Sequence, residues 1–87
     1  MSYNGWSNYE TWNTALWIDN EPGSYHEARG IVNEARSERD AENGLKEWWT
    51  DGLMADVNPA GPTADLLGAA ISEINWQEIV QHYQVYE

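Results

Sequence analysis

The chain has 87 residues, 15 of them Asp or Glu and only 4 Lys or Arg, for a net charge of −11, with no cysteine, no phenylalanine, 6 Trp and 5 Tyr. That length fits one domain over 1–87, which buries about 60–65% of its unfolded surface and leaves no room for a spacious active site. The composition excludes disulfide and thiolate chemistry, a membrane-spanning helix and direct binding to nucleic acid or an anionic membrane, so the expected setting is cytoplasmic.

In chain order, Ser7-Asn8-Tyr9-Glu10 reads as a capping box that opens a first helix to about Asn20, stopped by Glu21-Pro22-Gly23. At 100° per residue Tyr9, Trp12, Ala15, Leu16 and Ile18 share one half of it. Trp17 falls on the other half, between Glu10 and Asn13. Either the Tyr3-Asn4-Gly5-Trp6 lead-in covers that ring, the economical reading for a small domain, or Trp17 is exposed as an interface anchor. Asp19 faces the apolar side and, from the last turn, meets solvent or caps the next helix at Ser24–Glu27.

Ser24-Tyr25-His26-Glu27 is a second capping box, opening a helix from Tyr25 to about Arg36 with Tyr25, Ala28, Ile31, Val32 and Ala35 on one arc. A third helix runs from near Ser37 to Asp56, with Ala41, Leu45, Trp48, Trp49 and Leu53 inward. Gly44, about 1 kcal/mol worse than Ala in a helix, is its candidate break. After the linker Val57-Asn58-Pro59-Ala60-Gly61-Pro62, Thr63 caps a fourth helix to Ile74 whose inner face is Leu66, Leu67, Ala70, Ile71 and Ile74. Asn75-Trp76-Gln77-Glu78 is a third box, opening a short helix that turns Trp76, Ile79, Val80 and Tyr83 inward. The expected fold is therefore all-α, a small bundle of five short amphipathic helices without strands, in which Trp12, Trp48 and Trp76 are buried.

The charges are segregated. All four cations (Arg29, Arg36, Arg39, Lys46) lie between 29 and 46, where Glu34, Glu38, Asp40 and Glu42 balance them. Both flanks lack any cation, which repels polyanions and attracts surfaces rich in Lys and Arg. On the third helix Asp40, Glu47 and Asp51 fall within about 40° of one another, opposite Leu45, Trp48 and Trp49 and with Lys46 and Glu42 at the margins. The plain reading of this stripe is the solvated face of an amphipathic helix. A partner-binding reading extends it by Asp56 or Asp65 and adds Trp17 as an aromatic contact. Against outright imitation of DNA, about 5,200 Å² of surface carries only about one net charge per 470 Å², whereas duplex DNA carries about one per 110 Å². Mimicry therefore requires the carboxylates to gather on one side.

No nucleophile elbow, phosphate loop, zinc-protease or calcium-loop pattern occurs. His26 sits in a capping box, and His82, four residues after Glu78, reads as its ion-pair partner. Carboxylate pairs such as Asp19/Glu21 and Asp51/Asp56 are expected by chance in so acidic a chain. The expectation is a non-enzyme with no cofactor and no metal.

Two blocks carry a resemblance. Tyr3-Asn4-Gly5-Trp6-Ser7-Asn8-Tyr9-Glu10-Thr11-Trp12-Asn13, running into Ala15-Leu16-Trp17-Ile18-Asp19-Asn20-Glu21, resembles the signature of a family of small acidic proteins of unknown function found in phages and other mobile elements. Ala64-Asp65-Leu66-Leu67, Ala69-Ala70-Ile71-Ser72 and Ile74-Asn75-Trp76-Gln77-Glu78-Ile79 are similar to its C-terminal part, while 37–63 matches poorly. The resemblance implies a helical domain in a mobile-element setting, hence a bacterial host cytoplasm, and assigns no catalytic residue.

Two functional expectations follow. One is an acidic anti-defence inhibitor, of anti-CRISPR or anti-restriction type, that acts as a DNA mimic on the Lys/Arg-rich nucleic-acid groove of a host defence complex. The other is a protein–protein adaptor that docks through exposed aromatics, its charge serving solubility.

Overall fold

The computed structural model describes residues 3–55 and 61–84. Among these residues five helices follow in order: α1 (Tyr9–Asn20), α2 (Pro22–Glu34), α3 (Glu38–Met54), α4 (Pro62–Ser72) and α5 (Trp76–Tyr83). This is the small all-α bundle expected, and among the described residues no helix is long and apolar enough to cross a membrane.

The helix starts differ from the capping boxes in an instructive way. Asn8, not Ser7, caps α1, its side chain accepting from the Thr11 amide at 2.9 Å. Ser24 caps nothing. The residue before a proline is held extended, so Glu21 cannot continue α1, and Pro22 begins α2 at once with its fixed φ and missing N–H. Pro62 does the same for α4, displacing Thr63 from the cap to the first turn. Ser37 caps α3 by accepting from the Asp40 amide at 3.1 Å, and the Asp40 carboxylate reaches back to the Arg36 amide at 3.2 Å, a reciprocal arrangement of capping-box type. Asn75 caps α5 as expected, accepting from the Glu78 amide at 3.2 Å.

The core is built mainly from α2, α3 and α5, with α5 packed against α1, α2 and α3. Ala28 and Val32 of α2, Ala41 and Leu45 of α3, and Trp76, Ile79, Val80 and Tyr83 of α5 are buried, as their periodicity predicts. Gly44 does not break α3. It lets that helix approach α2, since a Cβ there would lie 2.9 Å from Ile31 Cγ2.

Two faces are rotated from expectation. In α1 the buried positions are Thr11, Thr14, Ala15 and Ile18, while Tyr9 and Leu16 are exposed and Trp12 is half-buried. The threonines tolerate burial because their hydroxyls are bonded: Thr11 Oγ1 donates to Asn8 Oδ1 at 2.6 Å and accepts from the Asn75 amide at 2.8 Å, and Thr14 Oγ1 donates to the Glu10 carbonyl at 2.8 Å. In α4 the inward side is Ala64, Leu67 and Ile71, continued by Ile74, whereas Leu66 is 74% exposed and Ala70 faces outward. Trp48 is half-buried rather than buried, its indole N–H donating to Glu27.

The N-terminal lead-in is a tight turn. Asn4 (φ 49°) and Gly5 (φ 90°) both adopt left-handed backbone, as Asn-Gly favours, and Tyr3 and Trp6 exchange both backbone hydrogen bonds at 2.6 and 2.8 Å. The turn places the Tyr3 ring 4.9 Å from that of Trp12 and the Trp6 ring 5.1 Å from that of His82.

Candidate functional site

The two sequence blocks at the ends of the chain meet. The Ser7 amide donates to Glu78 Oε1 at 3.0 Å and the Ser7 hydroxyl donates to the same oxygen. Asn8 Nδ2 donates to the Glu73 carbonyl at 2.7 Å, and Asn75 Nδ2 to Ser7 Oγ at 3.3 Å. Together with the Thr11–Asn75 bond, this fastens the start of α1 to the turn between α4 and α5. The polar residues of the opening block thus hold the fold together.

A second junction joins the other end of α1 to α5. Asp19 accepts from the Tyr83 hydroxyl at 2.6 Å and pairs with His82 Nε2 at 3.1 Å. It does not cap α2, and the partner of His82 is Asp19 instead of Glu78, because the α1–α5 packing carries the Asp19 carboxylate across to the end of α5. Burial first, and then the bond to Asp19, push the Tyr83 phenol well above its ordinary range.

Two surface features remain as candidate sites. The first is the carboxylate face of α3. Asp40, Glu47 and Asp51 are all exposed, and at 1.5 Å per residue they span about 16 Å of helix. Glu47 and Asp51 line a shallow depression of about 370 Å³ with Asn43, Lys46 and Thr50. Among the described residues the Asp19–His82 contact is the only ion pair, so neither Lys46 nor the arginines neutralise the stripe by direct contact. Asp40 differs from the other two in being tied to the α3 cap. Asp65 is exposed in the first turn of α4, and no hydrogen bond or ion pair joins it to α3 among the described residues. Asp56 lies outside the described residues.

The second feature is a groove of about 710 Å³ between α1 and the α3–α4 side of the bundle. Tyr9, Asn13 and Trp17 form one wall, Trp49, Leu53 and Leu67 the other, and Thr14, Ile71 and Ile74 lie at its base. Trp17 is 58% exposed. The lead-in does not cover it, because the turn at Asn4-Gly5 folds Tyr3 onto Tyr9 and Trp12, and Trp6 onto His82. Among the described residues, Glu10 and Glu21 are the only charged ones lining the groove. The misplaced period of Trp17 was its one signal in the sequence.

The folded surface, 5952 Å², exceeds the size-scaled value, so the average charge density lies further still below that of DNA. Three carboxylates along about 16 Å of α3 are also sparse beside a phosphate per roughly 1.7 Å of duplex. Among the described residues no three His, Asp or Glu side chains converge as a metal site.

No curated protein and no solved structure matches the chain. A family model does match, over residues 1–85. Nearly the whole chain, including both blocks joined by the Ser7–Glu78 network, therefore falls within one family, and the protein belongs to DUF7249, a family of unknown function.

Proposed function

We propose that the protein is a non-enzymatic binding module for a Lys/Arg-rich protein surface, acting in a bacterial host as a phage or mobile-element inhibitor of a nucleic-acid-binding defence complex. The observation that carries this reading is the exposed carboxylate face of α3, Asp40, Glu47 and Asp51, which makes no ion pair among the described residues, on a chain of net charge −11. Repulsion among such charges works against folding, and a basic partner converts it into attraction. The anti-CRISPR or anti-restriction setting is the finer part of the proposal and draws on the resemblance of the two end blocks to mobile-element proteins. Because the charge is dilute beside that of a duplex, the proposed mimicry is local. The α3 carboxylates take the place of a few phosphates in a basic groove, and Asp65 on α4 is the proposed extension of that set.

The test is capture of tagged protein with nuclease-treated host lysate at low salt, repeated with added duplex DNA and with a Glu47→Gln/Asp51→Asn variant. Retention of basic proteins that DNA displaces and the variant fails to hold is the expected result. Retention unaffected by either overturns the reading.

A second reading, an adaptor that docks through exposed aromatics, is favoured by Trp17 standing 58% exposed on the wall of an apolar groove. Loss of the captured partner on Trp17→Ala, with the α3 carboxylates dispensable, selects it.

A further inference from the structure

We propose that the groove between α1 and the α3–α4 side receives an amphipathic helix of a protein partner, apolar along one face and bearing Lys or Arg at both ends. This deepens the aromatic-docking reading and rests on it.

The walls supply the apolar half of the argument. Tyr9 is 49% exposed and Trp17 58%, with Leu53 also exposed and Trp49 and Leu67 half-buried. The hydroxyl of Thr14 at the base is already bonded to the Glu10 carbonyl, so the groove base offers an occupant no free hydroxyl there. From Tyr9 to Glu21 the α1 wall runs about 18 Å, three helical turns. A trough of that length with rings along its edge matches a helix presenting anchors at i, i+3 or i+4, and i+7.

The charges select the chemistry of the occupant. Glu10 and Glu21 mark the two ends of the α1 wall, and among the described residues no Lys, Arg or His lines the groove. Cationic residues about eleven positions apart on a docked helix would face both carboxylates, the separation of Glu10 and Glu21 along α1 being about 16 Å. The same carboxylates, on a protein of net charge −11, oppose a second copy of the chain and an anionic lipid. A basic amphipathic segment is the complement in both shape and sign.

The probe is a fluorescein-labelled peptide of about fourteen residues, with leucines at i, i+3, i+4 and i+7 and a pair of lysines at each end. Anisotropy with the full chain should show saturable binding that a scrambled peptide of the same composition loses by about tenfold or more. Trp17→Ala and Leu53→Gln should each weaken binding by about tenfold. Glu10→Gln/Glu21→Gln should weaken it by about threefold at low salt and less at high salt, and by more than Glu47→Gln/Asp51→Asn does. Thermal melts of every variant confirm that it is folded. Equal binding of the scrambled peptide, or loss through the α3 pair and not through Trp17 and Leu53, overturns the proposal in favour of a general acidic attraction. Dimerisation abolished by Trp17→Ala overturns it in favour of a second copy. If the peptide fails to bind while a captured partner is still lost with Trp17→Ala, the helix occupant is wrong and aromatic docking stands. If both binding events survive Trp17→Ala and Leu53→Gln, both readings fall.

Discussion

Asp19, in the last turn of α1, accepts a 2.6 Å hydrogen bond from the hydroxyl of Tyr83, sixty-four residues away at the end of α5. The phenol is buried, and its pKa is raised by that burial and by the carboxylate beside it. A group whose folded pKa lies above its unfolded value, about 10 for Tyr, contributes stability that is intact below the unfolded value and is lost as pH rises toward the folded one. Stability should therefore be level through neutral pH and fall above about pH 10. Tyr83→Phe should cost about 1–2 kcal/mol at pH 7 and flatten the alkaline fall. Melting temperatures of the two proteins across pH 8–11 check this, and parallel curves would mean that the Asp19–Tyr83 bond carries no linkage.

Ser7 should matter as a tether and Asn8 as a cap. Ser7→Ala should cost about 1 kcal/mol, and a double-mutant cycle with Glu78→Gln should show coupling of at least about 0.5 kcal/mol, since the two side chains share a bond. Asn8→Ala should cost about 1–2 kcal/mol, because its side chain also reaches the Glu73 carbonyl. Ser24→Ala, lying inside α2 with no capping bond, should stay within about 0.5 kcal/mol of wild type. Denaturant melts of the three single variants rank them, and a Ser24 effect as large as that of Asn8 would restore the second capping box.

Two helix glycines should respond in opposite directions to alanine. Gly30 has open space where a Cβ would go, so Gly30→Ala should stabilise by up to about 1 kcal/mol. At Gly44 the new methyl would meet Ile31 Cγ2 at 2.9 Å, and that atom, on a β-branched side chain, has little freedom to move. Overpacking of about 1–3 kcal/mol should offset or exceed the propensity gain. Gly44→Ala should therefore be neutral to destabilising, and the penalty should disappear in an Ile31→Ala background. Chemical denaturation of wild type, the three single variants and the Gly44→Ala/Ile31→Ala double variant settles the sign.

The exposure of Trp17 predicts that Trp17→Ala leaves the melting temperature within a few degrees of wild type. Trp76, 8% exposed in the core, should cost about 3–5 kcal/mol on the same change. Comparable losses at the two positions would mean that the groove is closed in solution.

The number and order of helices were legible because each carries an apolar arc of period 3.6, and α2 and α5 turn the residues inward that this arc names. Helix starts were less legible. Pro22 and Pro62 begin their helices by conformational constraint, which outranks the nearby Ser24 and Thr63 hydroxyls. The rotation of α1 was hidden because Thr11 and Thr14 count as polar by composition, yet their hydroxyls find partners in Asn8, Glu10 and the Asn75 amide and so can be buried. The carboxylate face of α3 could be read from one helix alone, and its three described members are exposed as expected. The groove could not be read in that way. It depends on where α4 sits beside α1 and α3, and the sequence pattern assigned outward-facing α4 residues, Leu66 and Ala70, to the core.

The most direct test of the account is the salt dependence of association with a captured basic partner, measured for wild type, Glu47→Gln/Asp51→Asn and Trp17→Ala. Asp40 is left intact because its carboxylate also serves the α3 cap. The account predicts that removing the two α3 charges weakens binding by roughly 1–3 kcal/mol, mainly through slower association, and flattens the salt dependence. A carboxylate variant that binds and inhibits like wild type, beside a folded Trp17→Ala variant that does neither, would contradict it.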